Sequence, residues 1–153
     1  MKKVEVRLSL PVVAPLLDVM KAASDTLEHE LAAPLTFEEV DRDLRESWRD
    51  ELLSGQNRDV RLLLGMFDSE FFASGVVSFD ENNADAIVRA CACLRLRLRE
   101  RFLSRLSDEV LESGDIELES LSEPDRKAFM CYLFLATVQE LIIQHLDSSI
   151  LEG

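Results

Sequence analysis

The side chains that could do chemistry in this chain are few, and their spacing is informative. Two histidines are present, His29 and His145. Asp25 and His29 share a helix face at i, i+4, but one carboxylate beside one imidazole is not a metal site. The Glu-x-x-His pairs that helical di-iron proteins place inward from two helices are absent. Cys91 and Cys93 lie about 200° apart on a helix and cannot ligate one ion together. Gly-rich phosphate loops, a Gly-x-Ser-x-Gly elbow and a His-Glu-x-x-His pattern are also missing. Catalytic, cofactor-binding and metal-ligating residues are therefore expected to be none, and no cofactor is implied. A metal-binding bundle is disfavoured by the histidine count alone.

Two polar features stand out. Arg89, Arg95, Arg97, Arg99, Arg101 and Arg105 crowd the stretch 81–106 against only Glu81, Asp85 and Glu100. Arginines near a helix C-terminus suit the macrodipole and pair with nearby carboxylates, which is the internal reading; the functional one is a patch for an acidic partner. The segment Asp108–Asp125 holds eight carboxylates and is covalently close, so it is expected to meet Arg89, Arg97 and Arg101 before any outside competitor. The second feature is Gln139-Glu140 inside an apolar run. An unpaired buried carboxylate costs several kcal/mol, so Glu140 should reach solvent or meet an arginine, Arg95 first.

The elements that position these residues follow from periodicity. Ala128 to Ile143 is apolar all round save Thr137, Gln139 and Glu140, the pattern of a helix at the centre of a core. A membrane span needs about 20 residues, and Glu140 comes too soon for one. Val4, Val6 and Leu8 alternate with polar residues as a short strand over 3–9. A helix over 11–32 starts between Pro11 and Pro15, buries Val13, Leu16, Leu17, Met20, Leu27 and Leu31, and ends at Pro34. The capping box Thr36-Phe37-Glu38-Glu39 opens a helix over 37–54 whose core face is Phe37, Val40, Leu44, Trp48 and Leu52. Ser54-Gly55 is expected to close it. A helix over 57–73 (Val60, Leu63, Leu64, Phe67, Phe71) and a strand over 75–79 follow. The two strands are expected to pair antiparallel, since a lone strand is marginal in water. Helices over 81–106 (Ile87, Cys91, Leu94, Leu98, Phe102) and 123–147 complete the chain.

One all-α domain of about five helices around a buried C-terminal helix, with a minor two-stranded ribbon, is the expected architecture for these 153 residues. A net charge of −13 argues against general nucleic-acid or anionic-membrane binding. Cys91, Cys93 and Cys131 cannot all pair in one chain and sit in apolar helical contexts, so reduced, buried thiols and a cytoplasmic setting are expected. Met1-Lys2-Lys3 before Leu8–Leu17 is a poor secretion signal, because Glu5, Arg7 and two prolines interrupt it.

Three blocks make the chain resemble the mainly actinobacterial domain of unknown function family twenty-seventeen. They are a strand running into a Pro-initiated helix (Val4–Met20), a Val-Val-x-x-Asp strand leading into a helix (Val76–Leu98), and a closing helix with Leu135, Gln139, Glu140 and Leu141. The family's Leu-Asn-Asp-Leu-Arg-Leu segment falls on Cys91-Ala92-Cys93-Leu94-Arg95-Leu96, keeping Arg95 and replacing the Asn-Asp pair. The resemblance implies an all-helical fold and no assigned reaction. That family's genes often lie near the adaptor of the Clp protease, which implies regulation or protein handling. The expected function is a non-catalytic cytoplasmic protein-interaction or regulatory module, monomeric or homodimeric, with another protein as partner. The rival is an enzyme or small-ligand-binding protein with an interhelical pocket near Glu140 and Arg95, with His145 as a further candidate. A deep polar-tipped pocket would favour the rival, an exposed patch the module.

Overall fold

The computed structural model describes residues 3–32 and 42–147. Pro34, the capping box Thr36–Glu39 and the apolar positions Phe37 and Val40 lie outside the described residues. Strand β1 (Lys3–Arg7) leads into α1 (Leu10–Leu27); α2 (Arg42–Gly65), α3 (Ser69–Ser74), β2 (Val76–Asp80) and α4 (Ala84–Arg101) follow. The chain continues through α5 (Asp108–Ser113), a 3₁₀ turn at Leu118–Ser120, α6 (Glu123–Ile142) and a π turn at Ile143–Asp147. The protein is mainly α with a minor antiparallel ribbon, as its periodicity requires.

β1 pairs with β2 antiparallel, with Val4 opposite Phe79 and Val6 opposite Val77. These four side chains share the inward face; Val77 and Phe79 are buried and Val4 and Val6 pack against them. Lys3, Glu5 and Arg7 alternate outward, which blunts the exposed edge against further pairing. Gly75 makes the turn from α3 into β2. Its φ of 74° is the left-handed C′ geometry, and a Cβ there would lie 3.1 Å from the Leu8 carbonyl oxygen.

Helix α1 begins at Leu10 and runs through Pro15, which has no N–H to offer the preceding turn. Its buried stripe is Val13, Leu16, Met20, Ala23 and Leu27. The second helix departs from expectation. Gly55 does not end it: α2 continues unbroken to Gly65, and the separate helices over 37–54 and 57–73 are instead α2 and the short α3. A glycine inside a helix costs only about 1 kcal/mol relative to alanine, and the residues beyond it hold the helix in place. Gln56, Val60 and Leu63 form its buried face, all of them C-terminal to Gly55. The expected core positions Leu44, Trp48 and Leu52 sit in the other half and are exposed.

Helix α4 packs between α2 on one side and α6 on the other, with α1 against all three. It buries Ile87, Cys91, Leu94 and Leu98, the stripe read from the sequence. Helix α6 is capped by the Ser122 hydroxyl, which accepts from the Asp125 amide, and has proline in its first turn. It buries Phe129, Cys131, Tyr132, Leu135, Val138 and Ile142, while Met130, Leu133 and Phe134 pack half-buried at the margin. By length and composition Glu123–Leu146 could cross a bilayer; in this fold it is the core helix lying on α1 and α4.

Candidate functional site

The arginines of α4 divide by the face they leave from. Arg95 and Arg97 are two positions apart, about 200° around the helix, so they point to opposite sides. Arg97, expected on an exposed flank, is completely buried (0 %). Its Nη1 lies 3.3 Å from Glu30 Oε1, and its Nη2 donates to the Leu31 carbonyl at 3.5 Å. Arg101 reaches the same carboxylate at 3.2 Å. Neither meets the acidic segment 108–125, and Arg89 pairs with Asp59 of α2. That segment instead engages Arg99 through Asp108 and Arg105 through Asp125. Arg97 and Arg101, one turn apart, share the face that meets Glu30 after α1, whereas Arg99 between them points to α5.

Arg97 belongs to a larger clamp. Five successive carbonyls after α1 each receive a side-chain donor. Gln56 Nε2 donates to Leu27 O (3.1 Å) and Glu30 O (3.0 Å), Asn57 to Glu28 O (2.8 Å), and Arg49 to His29 O (3.1 Å). Arg97 takes Leu31 O, and Gln56 Oε1 accepts from the Ala32 amide at 2.9 Å. Helix ends leave carbonyls unpaired, so this array is a C-cap built from two other helices, α2 and α4. It fixes Leu31 and Ala32 against the seam between α2 and α4.

That seam holds an open groove of about 510 Å³. Its walls are Leu31, Ala32, Leu52 and Gly55 on one side and Ala92, Cys93 and Leu96 on the other. Leu52 (50 % exposed) and Leu96 (44 %) stand at the lips. Gln56 lies in the floor with its amide fully engaged. The groove's charged residues are Glu51, Asp59 and Arg89. Arg89 is bidentate on Asp59 (Nε–Oδ2 2.9 Å, Nη2–Oδ1 3.2 Å), which raises its pKa further, so among the described residues Glu51 is the rim charge without a counter-ion.

Toward α6, Arg95 does not meet Glu140. Its Nη1 donates to Gln139 Oε1 at 2.8 Å and its Nη2 to the Tyr132 hydroxyl at 3.1 Å, with the guanidinium 4.5 Å from the Tyr132 ring centroid. Gln139 Nε2 donates to the Val88 carbonyl at 3.0 Å. Glu140 is exposed and accepts from Gln144 one turn on. The one-residue step from Gln139 to Glu140 rotates it about 100° off the α4-facing side, so solvent solves its burial problem. The Gln-Glu pair thus divides into a tether and a surface charge.

His145 is exposed in the closing π turn and His29 is exposed after α1, and neither lines the cleft at Arg95. No group of three or more metal-ligating residues occurs among the described residues. Cys91 and Cys131 are buried free thiols, and desolvation pushes each up to about 12. Cys93 is half-buried in the groove wall, its thiol also raised by burial. None of the three has the electropositive, accessible setting of a nucleophile. The sequence reading missed Gln56, Asp59, Glu30 and Tyr132. Only Gln56 left a signal there, as a polar residue on the face that continues to Val60 and Leu63.

With this geometry in hand, comparison with known families is decisive on kinship. The family described as Domain of unknown function (DUF2017) matches residues 9–146, and the chain belongs to it. No curated protein and no solved structure matches the chain.

Proposed function

We propose that this protein is a non-catalytic, cytoplasmic protein-interaction module whose docking surface is the groove between α2 and α4. The observation that carries the reading is an open, apolar trough with Leu52 and Leu96 exposed at its lips. Exposed contiguous apolar surface rimmed by polar groups marks a protein contact, whereas an enzyme pocket needs convergent, perturbed polar groups. The occupant is an amphipathic helical segment of another protein, its aliphatic side chains in the trough and basic residues flanking them. Charge supports that choice: Glu51 has no ion-pair partner among the described residues, Arg89 is already spent on Asp59, and the whole chain carries −13.

A photo-crosslinking residue at position 96, followed by sequencing of the captured peptide, tests this. The expected product is a segment with aliphatic residues at helical spacing between lysines or arginines, whose capture falls with salt and with Glu51→Lys. Capture of a second copy of this chain, of an acidic-flanked segment, or of nothing would overturn the assignment.

A further inference from the structure

A second cleft along α4, toward α6, shares Ala92 and Leu96 with the groove and has a different chemistry. It encloses about 290 Å³ between Ala92, Arg95, Leu96 and Arg99 of α4, Glu112 of α5 and Tyr132 of α6. Arg95 is the key group. Both of its direct polar partners, Gln139 and Tyr132, are neutral, and no carboxylate among the described residues pairs with it. The partly buried guanidinium is therefore oriented without being neutralised. Gln139 is itself tied to the Val88 carbonyl, so the orientation is set before any ligand arrives.

Counting donors shows what remains. A guanidinium carries five N–H groups. One on Nη1 goes to Gln139 and one on Nη2 to Tyr132, while Nε is shut from solvent without an acceptor. One N–H on each terminal nitrogen is left. The Tyr132 oxygen accepts from Arg95, so its own hydrogen is available to donate. Arg99 lines the same cleft, but its Nε and Nη2 are both committed to Asp108, so its charge is already paired. Two guanidinium N–H groups and a phenol O–H match the two or three oxygens of a small oxyanion.

We propose that this cleft binds the oxyanion group of a small molecule, a carboxylate or a phosphate, held by Arg95 and Tyr132. The volume suits a head group with little attached to it. Glu112, exposed on the cleft wall, opposes an incoming anion and sets the affinity low.

The test is an NMR titration of the full chain with sodium phosphate and, separately, sodium acetate, against sodium chloride at constant ionic strength. Saturable shifts of the Arg95 Nε–H and of the Ala92, Leu96 and Tyr132 amides are expected with at least one of the two anions, and which one saturates identifies the head group. Arg95→Gln should weaken binding roughly tenfold or more, the loss of a charge-assisted hydrogen bond. Tyr132→Phe should weaken it less, and Glu112→Gln should strengthen it. Shifts that stay linear and equal to those in chloride would overturn the proposal, as would saturation unchanged in Tyr132→Phe and Glu112→Gln. Those two variants decide the matter if Arg95→Gln does not fold.

Discussion

Arg95 and Arg97 leave the same helix two residues apart and meet opposite fates. Arg97 is the more buried, yet it has a carboxylate, a backbone carbonyl and a place in the clamp that fixes the end of α1. Arg95 is less buried but has only neutral tethers and the face of a tyrosine. The difference teaches that burial and neutralisation are separate matters. A fully buried cation with a counter-ion is part of the frame, whereas a half-buried one without a counter-ion retains a charge for something else. The same contrast separates the two sides of α4: toward α2 a clamped strap borders an apolar trough, toward α6 tethered donors border a polar cleft.

The largest effect should come from the framed side. Arg97→Ala removes a fully buried side chain and leaves a cavity, and is expected to cost about 3 kcal/mol in urea unfolding. Arg97→Met keeps most of the volume, discards a buried charge whose Nε has no partner, and should stay within about 1 kcal/mol of wild type. If both variants were equally damaged, the ion pair rather than the packing would be the stabilising part. Gln56→Leu comes next, since it strips partners from the Leu27 and Glu30 carbonyls and the Ala32 amide; a loss of roughly 2–3 kcal/mol is expected. Hydrogen exchange should then quicken at Ala32, and an unchanged rate would mean the strap is held without Gln56.

The thiols sharpen the contrast between core and groove. At pH 8 a disulfide reagent should label Cys93, half-buried in the trough wall, well before Cys91 and Cys131, which react only on unfolding. The raised folded-state values of Cys91 and Cys131 carry a pH signature. Stability from these two groups is complete below their ordinary value of 9 and is lost as pH climbs toward about 12, because the unfolded chain ionises first. A double Cys91→Ala, Cys131→Ala variant should lose that part of the alkaline decline. Smallest of all, Glu140→Gln should change stability by less than about 0.5 kcal/mol, as for an exposed side chain. A large loss there would restore the buried ion pair that the fold replaces with Gln139.

Much of this architecture is legible in the sequence. The ribbon could be paired from Val4, Val6, Val77 and Phe79 alone, because period-2 alternation admits one inward face. The stripes of α1 and α4 follow from 3.6-residue spacing, and Ser122 with Pro124 marks the start of α6. Where the reading failed, tertiary contacts decided. Gly55 resembles a stop signal, but whether a helix ends at a glycine depends on what holds the next turn, here Gln56 clamping a strap 24 or more residues away. Leu44, Trp48 and Leu52 have core periodicity without core position. The site was half visible: Arg95 and Gln139 were singled out, while Glu30 and Tyr132 depend on which helix faces which. Arg97 illustrates the limit best, since its position on a flank away from the apolar stripe placed it outside and the packing of the segment after α1 placed it within.

The central claim is that the α2 side of α4, and not the α6 side, receives the partner. The direct measurement is the affinity of a synthetic peptide corresponding to the segment crosslinked at position 96, determined by calorimetry against wild type and three variants. Leu52→Asp and Leu96→Asp each place a charge on the apolar lips and should weaken binding by roughly tenfold or more, while Arg95→Gln should leave it within about twofold. Equal loss in all three variants, or loss confined to Arg95→Gln, would contradict the account.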